Sequence, residues 1–170
     1  MVTTVILVLS YLVCWAAYLM PKKKYYLLVN LCSIVLTLTW YLLIKRYDGA
    51  VDQIISILRD VLILVVPWKY KHFVAIGVAV LNTVFFCYVW SGWSTLVLLV
   101  VAYIGLLKRV YAEMGLLRVL SGAQTALYAT FLLMCGQCTA AALEACSTVV
   151  CFVAQAYYNR KADQRGGKRF

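Results

Sequence analysis

Apolar residues run through this chain in seven blocks, separated by short clusters of charged and turn-forming residues. The blocks cover residues 3–20, 25–43, 50–66, 73–90, 95–107, 119–134 and 139–156. Each is near the length at which an α-helix crosses a bilayer, and flanking Trp, Tyr and Gly extend the shorter ones into the interface. The pattern predicts an all-α, polytopic membrane protein with seven transmembrane helices. Nearly every residue is used in a span, so binding or chemistry is expected inside the bundle or at its two mouths.

Charge orients these helices. Threading the chain back and forth puts Lys22, Lys23, Lys24, Lys69, Lys71, Lys108, Arg109, Arg118, Arg160, Lys161, Arg165, Lys168 and Arg169 on one side. Lys45 and Arg46 fall on the other, and Arg59 lies within a span. Cytoplasmic loops retain Lys and Arg, which predicts an N-terminus outside and a C-terminus in the cytoplasm. The first apolar run has no basic residues before it and three lysines after it, so it is expected to stay as a span.

Composition adds exclusions. A chain that is 65% hydrophobic, with mean hydropathy +0.90, has little polar surface for water. Its net charge of +10 sits on loops and tail, where it meets anionic lipid headgroups. Those charges form no basic face, so nucleic acid is not an expected partner. Seven cysteines spread through apolar helices do not read as a disulfide framework. Cys14, Cys32, Cys87, Cys146 and Cys151 fall within spans, where Cys behaves as a small hydrophobe. The single histidine, His72, has no ligand partners at metal spacing, and neither a metal nor another cofactor is expected. The set of residues needed for hydrolytic or phosphoryl-transfer catalysis does not occur, so an enzyme is not expected.

The two halves share a layout at an offset of 88 residues. It relates Trp40 to Tyr128, Ser33 to Ser121 and Ser56 to Glu144, and sets the turn residues Asp48 and Gly49 against Gly136 and Gln137. Two three-helix units, 1–66 and 93–170 with its basic tail, then flank a linker helix in 67–92. An odd number of helices per unit makes this a parallel repeat about an axis along the membrane normal.

Several short runs carry a family likeness. Asn30-Leu-Cys-Ser33, Thr39-Trp40-Tyr41, Gly49-Ala50-Val51 and Ile57-Leu58-Arg59, with Tyr128 to Leu133, Gly136, Glu144 and Arg160, resemble the YgjV family of bacterial inner-membrane proteins, within the SWEET/PQ-loop superfamily. The resemblance implies a 3+1+3 arrangement of two parallel three-helix bundles. It also implies a bacterial inner-membrane location and a central path for a solute, with aromatic residues along it. Ser56 stands where that family tends to have Asn, and the Pro-Gln dipeptide is missing.

Candidate site residues are the polar ones in apolar helices. Arg59 and Asp60 fall near the middle of the third span, where an arginine costs roughly 2.5–3.5 kcal/mol, so such residues should face the interior and have partners. Glu144 is the acid of the seventh span, and an Arg59–Glu144 pair is expected, as a solute site or as packing. Asp52, Gln53 and Ser56 share a helical face with Arg59, and Ser121, Gln124, Thr125 and Tyr128 share one on the sixth helix. Trp40 and Tyr128 read either as opposed aromatic walls or as interfacial residues, while Tyr18, Trp68, Trp90, Trp93 and Tyr111 read as an interfacial belt. Trp40, Ser56, Arg59, Gln124, Tyr128 and Glu144 are thus the candidate lining of a path for a small polar solute. The competing classes are a non-transporting receptor or packing subunit and, third, a thiol oxidoreductase built on Cys135-Gly-Gln-Cys138. That C-x-x-C falls in an outside turn and reads as a possible disulfide or as a turn alone. Membrane lipid and a small polar solute are the expected partners, and an oligomer is left open.

Overall fold

Long runs of Leu, Val, Ile and Ala without an interior proline dictate helices. The two prolines, Pro21 and Pro67, fall between them, where a missing N–H breaks no helical bond. The computed structural model describes residues 2–88 and 92–164, the side chains at 48, 68, 94, 162 and 163 excepted. Among the described residues are seven α-helices: α1 (Val2–Tyr18), α2 (Lys23–Leu43), α3 (Tyr47–Val65), α4 (Lys71–Tyr88), α5 (Trp93–Tyr111), α6 (Met114–Met134) and α7 (Cys138–Gln164). One turn of 3-10 helix, Trp68–Tyr70, precedes α4. The blocks read from the sequence match these helices to within a few residues, apart from α5 and α7, which run on through Lys108, Arg109, Arg160 and Lys161, and α6, which starts early enough to include Arg118. Trp90, Arg165, Lys168 and Arg169 lie outside the described residues, as does the side chain of Trp68.

Four helices are long and apolar enough to cross a bilayer: Lys23–Leu43, Lys71–Tyr88, Met114–Met134 and Cys138–Lys161. Helix α1 is apolar but shorter. The distribution of polarity points the same way. Val5 and Leu12 of α1, Ile54 of α3, Ile76 and Val84 of α4 and Val153 of α7 are all exposed, while Ser10, Asn30, Asn82, Ser121 and Ser147 are buried. Water would drive the opposite sorting, whereas lipid tails solvate the apolar faces and leave the polar groups to find one another inside. The chain is a helical, multi-pass membrane protein.

Each helix packs on its neighbour in sequence, α1 also packs on α7, and α3 also touches α5. Helix α4 leans on α3 and α5. The interior has two apolar layers. One, at the end of the α1–α2 and α5–α6 turns, centres on Ala17, Tyr18, Tyr26, Ile63, Val110 and Leu117. The other, at the end of the α2–α3 and α6–α7 turns, centres on Leu7, Tyr11, Trp40, Tyr41, Phe131 and Ala141. Tyr18 is 3% exposed and packs on Tyr26, so it belongs to the core and not to an interfacial belt. Side-chain bonds tie the helices together: Ser33 Oγ donates to the Ser10 carbonyl at 2.8 Å, and Trp15 Nε1 to Ser147 Oγ at 2.7 Å.

The turns after α2 and α6 are built alike. Ile44 N–H reaches the Trp40 carbonyl, Lys45 that of Leu42 and Arg46 that of Tyr41, at 3.1, 3.2 and 3.0 Å. Cys135, Gly136 and Gln137 repeat this on Phe131, Leu133 and Leu132, at 3.0, 3.0 and 2.9 Å. The middle residue is left-handed in both, with φ 57° at Lys45 and 73° at Gly136. The correspondence therefore runs at 91 residues (Ile44 to Cys135), not 88, and sets Trp40 against Phe131. The earlier offset is short by almost one helical turn because it matched side-chain types and not backbone geometry.

A left-handed lysine costs roughly 1–2 kcal/mol that a glycine does not. Lys45→Gly should raise the unfolding temperature in detergent, and Gly136→Lys should lower it by a similar step. Two unchanged melting curves would mean that these turns are relaxed differently in solution.

Candidate functional site

Asp60 lies on α3 with no exposed surface, and three side chains converge on it. Arg59 Nε donates to Asp60 Oδ1 at 2.9 Å. Arg109 Nε of α5 sits 3.0 Å from the same oxygen, as a charge contact whose N–H is not aligned for a hydrogen bond. Asn30 Nδ2 of α2 donates to Oδ2 at 3.2 Å. Arg59, Arg109 and Asn30 are themselves 3%, 6% and 4% exposed. Burying charge like this is unfavourable unless each ion is paired and hydrogen-bonded, and Asp60 supplies that pairing to both guanidinium groups.

Lys108, 1% exposed, donates to Ser121 Oγ at 2.7 Å. The sequence reading counted Lys108, Arg109 and Arg118 among the loop charges of one face, whereas the structure places them in α5 and α6 with buried side chains. Two cations at the end of an apolar run read as interface anchors, but long flexible stems let them reach back along the helix. Arg109 Nη1 bonds the Gly105 carbonyl one turn earlier, at 3.2 Å. Arg118 closes the end of α1, donating to the carbonyls of Tyr18 and Met20 at 3.0 and 2.8 Å, and its guanidinium stacks over Tyr158.

Beside this cluster is a cavity of about 130 Å³. Trp40, Ser56, Arg59, Gln124, Tyr128 and Glu144 all line it, together with Asp52, Lys108 and Arg109. Trp40 is 6% exposed, so it is an interior wall and not an interfacial residue. The Tyr41 and Tyr128 hydroxyls bond each other between α2 and α6, and Trp40 and Phe131 pack against these rings. Gln124 Nε2 donates to the Val101 carbonyl at 3.1 Å. Gln53 Nε2 donates to Asp52 at 3.1 Å.

The expected Arg59–Glu144 ion pair is not among the contacts of the described residues. Arg59 pairs with its neighbour Asp60, and Glu144 faces Tyr11 and the charge of Lys108. The sequence reading assumed equal depth on equivalent helices, but Arg59 lies toward the C-terminal end of α3 whereas Glu144 lies in the second turn of α7. Asn30, Lys108 and Arg109 were missed as site residues, and Asp60, read beside Arg59 in the third span, was missed as its partner. The adjacency of Arg59 and Asp60 within one apolar run was the available signal.

Cys135 and Cys138 are free thiols here. Backbone hydrogen bonds close their turn as they close the cysteine-free turn after α2, so this geometry needs no disulfide. His72 Nδ1 lies 2.9 Å from the Tyr111 hydroxyl, and no cluster of metal-ligating residues occurs among the described residues. Compared with protein-family models, with curated proteins and with solved structures, the chain matches none.

Removing one partner of a buried ion pair costs roughly 3–5 kcal/mol. Asp60→Asn should therefore destabilise far more than Glu144→Gln, and Asp60→Asn with Arg59→Leu should be less damaging than the two losses added together. Double-mutant cycles by denaturant unfolding should show a coupling of about 1–3 kcal/mol for Arg59–Asp60 and a smaller one for Arg59–Glu144. Equal couplings would contradict this assignment of partners.

Proposed function

We propose that this protein is a facilitator that carries a small polar solute across a bacterial inner membrane. The observation behind this reading is the cavity between two apolar layers, with charged and aromatic side chains from α1, α2, α3, α5, α6 and α7 on its walls. Polar and ionisable groups inside a membrane protein are expensive to keep there, and a charge-lined cavity is more than packing requires. Trp40, Ser56, Arg59, Gln124, Tyr128 and Glu144 form the solute path in this reading. A dry bundle with its charges fully paired would instead favour a receptor or packing subunit. In this reading the activity is transport and not an enzymatic reaction.

The architecture proposed with it is 3+1+3: residues 1–66 and 93–170 form two parallel three-helix bundles, joined by the linker helix in 67–92. Two like turns at a common offset support it, as does the pairing of α1 with α7 and of α3 with α5, which a two-fold axis would exchange. This arrangement and the short sequence likeness together favour membership of the YgjV family in the SWEET/PQ-loop superfamily. Alternating access would then be a rocking of one bundle against the other about the cavity. The N-terminus lies outside and the C-terminus in the cytoplasm. Of the cations on the cytoplasmic side of the sequence reading, the three that are buried drop out, and the remainder still outnumber Lys45 and Arg46.

Two experiments test this. A melting-temperature screen of the purified protein against sugars, nucleosides, vitamins and carboxylates should reveal a stabilising class, because only a solute that binds the folded form shifts the transition. That shift should disappear in Trp40→Ala, and proteoliposomes should take up the same class. No shift from any class, with liposomes that stay impermeable, would refute transport. For orientation, a variant keeping only Cys138, which is exposed, should react with an impermeant maleimide on intact cells. One carrying only Asn159→Cys should react after permeabilisation alone, and the reverse pattern would invert the topology.

A further inference from the structure

Three helices meet in a corner at the end of α5. His72, in the first turn of α4, places Nδ1 2.9 Å from the Tyr111 hydroxyl, and the two ring centroids are 5.3 Å apart. Lys23, the first residue of α2, donates from Nζ to the Ala112 carbonyl at 2.8 Å. Lys71 precedes His72 and so flanks the same corner, near enough for its charge to act on that of Lys23. Both lysines are partly buried.

Like charges brought together from two helices repel each other, and an anion between them turns that repulsion into attraction. The bond to Ala112 uses one of the three Lys23 donors and leaves two. Lys22, Lys24 and Lys69 lie exposed around the corner. Glu113, also exposed, is the one acid in residues 19–26, 67–74 and 107–116.

Apolar surface continues from the basic corner along α4. Phe73, Ile76 and Val80 are 71%, 62% and 58% exposed, and their spacing puts them on one face of the helix. An anionic head above an apolar tail matches both features. Inorganic phosphate would leave the apolar face unused, and a choline headgroup would bring its own cation toward the lysines.

We propose that this corner binds an anionic phospholipid, with its phosphodiester between Lys23 and Lys71 and an acyl chain along Phe73, Ile76 and Val80. Basic recesses between helices on the cytoplasmic side of a membrane suit such headgroups. Helix α4 leans on α3 and α5, and the headgroup adds a tie from α4 to α2. The cytoplasmic leaflet follows from the orientation proposed above, whereas the site itself depends neither on that orientation nor on transport.

Surface charge alone would attract the same lipids without a site, so position has to be separated from charge. Native mass spectrometry and melting temperature of the full chain in detergent would compare phosphatidylglycerol, phosphatidylcholine with the same acyl chains, and inorganic phosphate. Phosphatidylglycerol should bind about tenfold or more tighter than phosphatidylcholine and raise the melting temperature, and phosphate should not. Lys23→Gln/Lys71→Gln should weaken it by about 25-fold, at about fivefold per lysine. Lys22→Gln/Lys24→Gln removes the same charge from exposed neighbours and should cost less than about threefold. Equal losses in the two pairs, equal binding of the two lipids, or stabilisation by phosphate that matches the lipid would each overturn the site. Should Lys23→Gln/Lys71→Gln fail to fold, Lys71→Gln alone keeps the Lys23–Ala112 bond and should lose about fivefold, and an unchanged affinity would overturn the site as well. Detergent solution has no sides, so inverted maleimide labelling would move the lipid to the other leaflet and leave the site standing.

Discussion

A single buried carboxylate organises the interior of this protein. Asp60 on α3 is met by Arg59 beside it, by Arg109 from α5 and by Asn30 from α2, so three helices are tied to one side chain. Without it, two guanidinium groups would sit unpaired in a low-dielectric core, a condition that helical membrane proteins avoid. With it, positive charge can be held where α2, α3 and α5 meet, and the cavity has a charged wall at all. The arrangement is a costly way to hold helices together, since apolar residues of the same shape would pack without the desolvation penalty. That cost is the physical reason to read the cluster as functional.

The rest of the fold follows from a solvent that is apolar. Burying Leu or Val against a neighbouring helix gains little when lipid tails are as apolar as the core, and many large apolar side chains here face outward. Association falls to close packing and to interhelical hydrogen bonds, typically about 0.6 kcal/mol each. Ser33 to Ser10, Trp15 to Ser147 and Thr125 to Thr148 are bonds of this kind. Small residues allow the approach: a side chain on Gly49 would collide with the Tyr41 ring, and one on Gly122 would press on Phe152. The Tyr41–Tyr128 contact then closes the aromatic layer at the α2–α3 and α6–α7 end of the cavity.

The recurrence of one turn geometry after α2 and α6 shows what sequence comparison alone could not align. Lys45 and Gly136 share a backbone conformation without sharing a side chain, and so do Ile44 and Cys135. Backbone hydrogen bonds, blind to side-chain identity, set the correspondence. The cysteine pair in the second turn occupies positions that need no cysteine in the first. Matching residue types instead had aligned Trp40 with Tyr128, two cavity walls that are not equivalent in the backbone repeat.

Much of the architecture was legible in the sequence. Helix number and approximate limits follow from apolar runs broken by charge, because a lipid-facing helix must be apolar along its length. The six proposed path residues were legible for a related reason: a polar side chain in such a helix has nowhere to go but inward, and all six line one cavity. Partnership was not legible. Which acid meets Arg59, and whether Lys108 and Arg109 turn outward to headgroups or inward to Asp60 and Ser121, depends on helix rotation, relative depth and the reach of long side chains. A one-dimensional pattern carries none of these. The sequence by itself determined that charge would be buried in this protein, and only the tertiary structure decided which charges and against what, because pairing energy is set by distances between helices far apart in the chain.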